Sequence, residues 1–426
     1  MTGIVSWLAL LYVALIPVGR SGLPMNAQWG DVLFPFVALA AMRAGPAVRW
    51  WSRGDWPLAA YLGVTCLTAL ASPDPLTGLK ELLKQSYVAS VFLVFRHLAR
   101  DASLTRRLQA GFVISVALVT VASIGVVFVR IPGVPLSTLG LAHPLPLFGM
   151  VRRLRGAFEA PELLGNALLV AFVLALTLRA TESRGLRPWW TGIAILIAAG
   201  EFLTFSHSVA GFCVAAVFFA GARIPSRFVR VLGWGVALAV FLIVNVASVV
   251  DPIPRDAPTD GDVGSASINL LGTRAEVRLM HYAALKRVAW SAFLDHPVAG
   301  VGPGRFSLES ERAYQEGRLA IRHRGLVPHS SPAGRLAESG VAGGVSWLLL
   351  WAAWMRGLGS TPSAASPSRR AAFAAVLGLL VNSVNADVMN FRFLWLALAW
   401  TSWPGARPEL ATTPERTPAA SVPTGS

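Results

Sequence analysis

Apolar residues in this chain run in long, nearly continuous stretches. They lack the strict alternation of a half-buried or barrel strand. A helix crossing the ~30 Å hydrocarbon core of a bilayer needs about 20 mostly apolar residues. Twelve stretches are candidates, centred in 4–18, 31–44, 57–72, 79–96, 109–130, 162–180, 189–204, 208–222, 229–250, 334–356, 370–387 and 391–404. Ser206-His207-Ser208 alone separates the seventh from the eighth, and the last two form a tight hairpin around Asp387–Asn390. In lipid every backbone polar group must be satisfied internally, so unalternating apolar runs predict helices. The expected fold is all-α: a polytopic integral membrane bundle of about twelve transmembrane helices with one large external loop. Residues 1–250 hold nine helices, 251–332 the loop, 333–404 three helices and 405–426 a disordered cytoplasmic tail rich in Pro, Thr and Ala.

Composition agrees with the pattern. The chain is 54% hydrophobic and only 14% charged, against about 25% charged for a soluble domain. A net charge of +15 raises the question of nucleic acid. The basic residues, however, sit in short clusters between apolar stretches and form neither a face nor a tail, which predicts no nucleic-acid partner. Arg43, Arg49 and Arg53 follow the second stretch, and Arg96, Arg100, Arg106 and Arg107 the fourth. Arg179, Arg184 and Arg187 follow the sixth, Arg223, Arg227 and Arg230 the eighth, and Arg356, Arg369 and Arg370 the tenth. By the positive-inside rule these alternate loops are cytoplasmic, with both termini. The 130–160 and 251–332 segments then lie outside. No basic residue precedes the first apolar run, so Ile4–Val18 is expected to be a retained helix. Cys66 and Cys213, inside apolar stretches, are expected to be packing thiols.

The 251–332 segment is polar but not basic: Asp251–Pro328 holds ten Lys plus Arg against nine Asp plus Glu. Asp251–Ser267, rich in Pro, Asp and Gly, predicts flexibility. In Glu276–Phe293, Val277, Met280, Leu285, Val288, Ala289 and Phe293 fall near helical spacing, with Lys286 and Arg287 opposite. That predicts a helix lying against the membrane surface.

Four constellations on this side carry candidate chemistry. Arg152, Arg153 and Arg155 break the positive-inside trend, and a guanidinium fork suits phosphate; a lipid-headgroup edge is the plainer alternative. Arg274 and Arg278, four apart, would share a helix face that Glu276 does not, forming an anion site or simply a solvated face. His296–Phe306 holds Gly300, Gly302 and Gly304. It could cradle phosphate, but it lacks the Lys of a P-loop, and a structural turn is the stronger expectation. Finally, His329 stands where the loop re-enters the membrane, ahead of Glu338, Gly340 and Gly343. Its imidazole could act as a general base or be merely structural. His323 does not give metal-ligand spacing with it, and Asp256, Asp260 and Asp262 lack the full calcium-loop pattern. No metal or other cofactor is expected.

In order and placement these motifs resemble the O-antigen ligase and polymerase superfamily of bacterial envelope glycosyltransferases. The resemblance is closest from Gly272 to Gly344. It comprises Gly272 and Arg274, Trp290, His296-Pro297, Gly300-Val301-Gly302-Pro303-Gly304 and Phe306, then His329-Ser330 with Glu338, Gly340 and Gly343 nine, eleven and fourteen residues on. Arg155-Gly156-Ala157-Phe158 matches more loosely. The chain departs where members carry Ser-Arg-Gly: His207 stands at the arginine's place in Ser206-His207-Ser208. Ser330 also replaces an Asn.

The resemblance implies a metal-independent, inverting enzyme at the outer face of the bacterial inner membrane. Its donor is a glycan on a polyprenyl diphosphate and its acceptor a glycan or lipid-glycan hydroxyl; membrane lipids surround it, and it names no protein partner. His329 would orient or deprotonate the acceptor hydroxyl. Arg274, with Arg278 or Arg155, would bind the diphosphate; at the missing arginine's place His207 could keep partial cationic character, or Arg152, Arg153 or Arg155 could compensate. A ligase acting on lipid A core is expected first. A repeat-unit polymerase of the same superfamily is the alternative, and a lipid-linked glycan transporter the alternative of another class.

Overall fold

The computed structural model describes residues 3–19, 27–43, 51–145, 149–221, 226–245, 247–250, 265–270, 273–279, 282–319, 321–359 and 367–401. The 405–426 tail, Gly272 and the 251–264 stretch expected to be flexible lie outside them. Each of the twelve apolar stretches carries a helix: α1 (Gly3–Leu15), α2 (Trp29–Arg43), α3 (Trp56–Leu70), α4 (Pro75–Leu98), α5 (Ala102–Ile124), α7 (Pro161–Thr181), α8 (Arg187–Thr204), α9 (Ser208–Gly221), α10 (Arg227–Asn245), α13 (Ser331–Gly359), α14 (Pro367–Asn382) and α15 (Arg392–Thr401). A one-turn α6 (Leu136–Leu139), α11 (Ala283–Asp295) and α12 (Phe306–Gln315) lie between them. Among the described residues four segments are long and apolar enough to cross a membrane: Ala102–Val129, Pro161–Thr181, Arg227–Val244 and Ser331–Gly357. This is a helical membrane protein.

Boundaries follow local chemistry. Asp74 and Asp101 cap α4 and α5 by accepting from the Thr77 and Leu104 N–H groups. Pro75 and Pro161 open α4 and α7 at positions that need no N–H donor. α7 is the central helix, with 72% of its most apolar stretch buried, whereas α10 is peripheral, with 6% buried. α9 and α14 meet through glycines: a Cβ on Gly211 would stand 2.2 Å from the Gly378 carbonyl oxygen. Small residues of this kind let helix backbones approach in lipid. Asn382 completes the contact, donating to Asn166 Oδ1 at 2.8 Å and accepting from the Gly211 N–H at 2.9 Å.

Two small sheets were not expected. β1 (Gly140–Leu145) and β2 (Gly149–Leu154) form a hairpin. β3 (Ala247–Val250), β4 (Ser265–Leu270) and β5 (Thr273–Leu279) form an antiparallel sheet ordered β3-β5-β4. β5 corrects the expected helix from Glu276, which begins only at Ala283. Ala275, Val277 and Leu279 alternate with Arg274, Glu276 and Arg278, a period of two that wins over helical spacing. Positions 274, 276 and 278 therefore share one side of a strand, where a helix would have set 276 apart from the other two. The flexible expectation also ends early, since β4 begins at Ser265.

The described part of the loop segment has its own core of Leu285, Val288, Ala292, Val301 and Phe306, closed by Ala337 of α13. A break in α13 makes this docking possible. Gly340 has φ 63° and ψ −158°, a conformation essentially restricted to glycine, and it divides α13 into two arms. Backbone groups released there bond to the glycine-rich loop. Val301 N–H donates to Ala337 O and Gly302 N–H to Glu338 O, both at 2.9 Å, while Val341 N–H donates to Pro297 O at 2.8 Å.

Gly340→Ala tests this joint. Its Cβ would stand 2.3 Å from the Val298 carbonyl oxygen, at a backbone conformation hostile to side chains. The expected cost is at least about 3 kcal/mol, read as a lowered thermal midpoint in detergent. Gly357→Ala, with nothing within 4 Å of its Cβ, is the neutral control.

Candidate functional site

Side-chain contacts sort the connecting segments into two ends of the bundle. At one end Arg96 pairs with Asp55, Arg106 with Glu182, and Arg369 donates to the Gly357 carbonyl. These belong to the arginine-rich connections. At the other end stand the β1–β2 hairpin, the α8–α9 turn, the loop module and the α14–α15 turn. There Arg153 donates to Thr204 O at 2.8 Å, Lys286 to Asn385 Oδ1, and Arg305 to the Ser72 hydroxyl.

His329 lies at this second end, just before α13, and neighbouring contacts fix its backbone. Ser331 N–H donates to Ser383 O at 2.9 Å, and the Ser331 hydroxyl donates to Asp387 Oδ1 at 3.0 Å. Asp387 also accepts from Arg335 and Asn390, at 3.0 and 2.9 Å. Asn390 in turn accepts from Gln85 of α4, which also donates to Glu81. This chain links α4, α13 and the α14–α15 turn at Ser331, two residues after His329.

The His329 ring stacks on Tyr282, with centroids 4.1 Å apart and planes 8° from parallel. The His323 and Tyr282 rings meet edge-on, with centroids 6.3 Å apart. Around the stack, Glu162 from α7 and Lys286 from α11 act on the charge of His329, as does Asp387. His207 in the α8–α9 turn is within reach of Arg153, Lys286 and His329. Three of the four non-glycine residues with positive φ among the described residues are here: Phe205 at 45°, Tyr282 at 54° and His329 at 49°. Such conformations cost about 1–3 kcal/mol each and persist only where the surroundings enforce them.

Burial sets the electrostatics. It pushes the His329 imidazolium below its ordinary range, so the ring is neutral and able to take a proton near pH 7. Burial lowers Lys286 to about 8, which leaves it largely cationic at neutral pH. The Tyr282 hydroxyl is raised by burial to about 12 and stays protonated. For His207, burial first and then the Arg153 charge bring the value down to about 4. Of the two expectations for the missing arginine's charge, burial disfavours a cationic His207, while Arg153, one of the arginines expected to compensate, stands beside it.

Arg155 is also placed differently from expectation. Its guanidinium donates to the carbonyls of Ser137 and Thr138, and its N–H to Leu139 O, so it fastens the α6 turn to β2. Arg153, two residues earlier, faces Glu162 and Tyr282. Arg153 lies inside β2 whereas Arg155 stands just past its end at Leu154, and their different partners are concealed in a one-dimensional cluster of Arg. Arg274 and Arg278 stand in β5, which leads the chain towards Tyr282. The glycine loop offers no phosphate cradle through its Val301 and Gly302 N–H groups, which bond to α13, while the Gly304 N–H faces the Glu338 carboxylate. Gly343 accommodates the tightened turn after the kink, where a Cβ would lie 2.8 Å from Arg335 O. Sequence reasoning missed Tyr282, Lys286, Glu162, Arg335 and Asp387 as members of this region. Only Asp387 carried a signal, as a charge in the apolar final hairpin.

Neutral His207 makes stability depend on pH. Its folded-state value lies below its unfolded one, so the unfolded chain binds the proton first. The contribution is complete above about pH 6.5 and falls as pH drops towards 4, by at most about 3 kcal/mol. Thermal midpoints in detergent are expected to fall across that window, and to fall less in His207→Asn.

A comparison with protein-family models finds no match to this chain, and a comparison with curated proteins finds no relative.

Proposed function

We propose that this protein is an O-antigen ligase-type membrane glycosyltransferase. It transfers a glycan from a polyprenyl diphosphate to an acceptor hydroxyl at the outer face of the bacterial inner membrane. In this reading the twelve apolar helices are spans, the arginine-rich end is cytoplasmic, and His329 faces outward. The motif resemblance between Gly272 and Gly344 supports it. The observation that carries it is the convergence of neutral His329 with Arg153 and Lys286 at the bundle end opposite the arginine-rich connections.

The chemistry suits those groups. The acceptor hydroxyl oxygen attacks the anomeric carbon from the side opposite the diphosphate. As the new C–O bond forms, the bond to the diphosphate breaks and its electron pair leaves with the phosphate oxygen. His329 takes the hydroxyl proton. Arg153 and Lys286 bind the diphosphate and stabilise the charge growing on it, with Arg274 and Arg278 of β5 as further candidates. Back-side displacement inverts the anomeric centre.

The test is complementation of a deletion strain, with surface polysaccharide read on gels beside membrane protein levels. His329→Ala is expected to lower transfer by about 10²–10⁴-fold, as for loss of a general base. Arg153→Ala is expected to lower it by about 10²–10³-fold. Unligated lipid-linked polymer identifies a ligase and single capped repeats a polymerase. Wild-type polysaccharide from well-inserted variants overturns the enzyme assignment.

A further inference from the structure

Imidazole bases are ordinarily held in plane by a hydrogen bond to one ring nitrogen. Among the described residues, the His329 imidazole makes no such bond; its clear side-chain partner is the face of Tyr282. A parallel stack fixes the plane of the ring and leaves both nitrogens, which lie on its edge, available for proton transfer. Two further features make this an enforced arrangement. Both partners adopt left-handed backbone conformations, uncommon for residues other than glycine, and each is anchored by contacts of its own. Tyr282 opens α11, whose first turn is tied by Lys286 N–H to Tyr282 O at 3.0 Å, while Lys286 itself reaches Asn385. His329 is held through Ser331 to the same α14–α15 turn. The two rings therefore meet because two separate segments dock on one turn, and His323 closes on Tyr282 from the side.

We propose that Tyr282 is the positioning residue for His329: its ring, and not its hydroxyl, sets the plane in which the imidazole takes the acceptor proton. This rests on the glycosyl-transfer reading above. The titratable and charged groups facing His329 are Glu162 from α7, Lys286 and Tyr282 from the α11 segment, His207 from the α8–α9 turn and Asp387 from the α14–α15 turn. Tyr282 covers the imidazole and helps to keep it dry. Losing the ring therefore moves His329 towards its ordinary, higher range, and the acid limb of the rate profile towards higher pH.

Three variants in purified membranes test this, with two readouts each. One readout is transfer from the lipid-linked donor as a function of pH. The other is the rate at which diethylpyrocarbonate modifies His329, followed by mass spectrometry. Tyr282→Leu is expected to lower kcat by at least about tenfold with little change in donor KM, to shift the acid limb upward and to speed modification. Tyr282→Phe, which keeps the stack, should recover kcat to within about threefold and retain the parental limb and modification rate. Tyr282→Met fills the volume without a flat face and follows Leu; it serves if Leu does not accumulate. A Phe variant as impaired as Leu, or Leu and Met variants with parental modification rates, overturns the proposal. Faster modification in Leu, with transfer unaffected even by His329→Ala, upholds the positioning of the ring and sinks the catalytic reading instead.

Discussion

The structure hinges on one exchange of backbone hydrogen bonds. At Gly340 the helical ladder of α13 is interrupted, and a loop from outside the bundle bonds to the groups released. An unpaired carbonyl or N–H is costly in a membrane setting, so the kink and the loop require one another. Gly300 is held as tightly as Gly340: a Cβ there would fall 2.3 Å from the Glu338 carbonyl carbon. The small core around Leu285 and Phe306 is thereby joined to the membrane helices by main-chain geometry, which no side-chain exchange easily reproduces.

That joint explains why a polar constellation can exist at the edge of an apolar bundle. Arg335 is buried one turn before the kink and is neutralised by Asp387, with Glu81 and Glu338 close by. Burial of such charges is tolerable only as a connected network, and removing one partner strands the others. The network also fixes the α14–α15 turn, on which both Ser331 and Lys286 dock. One rigid corner therefore supports His329 from beneath and Tyr282 from the side. Such support fixes the stacked rings in one geometry, the preorganisation that the proposed proton transfer would require.

Much of the helical scaffold was legible in the chain because a lipid-crossing segment must declare itself locally, by continuous hydropathy. The basic connections were legible for the same reason. The remainder depends on long-range partners. Arg153 and Arg155 look equivalent in a cluster of arginines, and only the β1–β2 pairing with the α8 terminus gives them different neighbours. Tyr282 has no distinguishing context until His329 arrives from 47 positions later in the chain. β5 was misread although its alternation was present, because the apolar positions around it also satisfy a helical period. His207 illustrates a different gap: its identity was plain, but its charge state depends on burial, which local sequence does not reveal.

The kinked α13 also imposes an order of events during synthesis. The glycine loop leaves the ribosome before the carbonyls of Ala337 and Glu338 that receive its N–H groups, and Asp387 follows later still. Chains assemble largely from the N-terminus onward. Most of the helical bundle is therefore made while the residues around His329 still lack their partners in the α14–α15 turn. The polar corner beneath α13 closes only with the final hairpin, because Asp387 and Asn385 are the last of its members to be made.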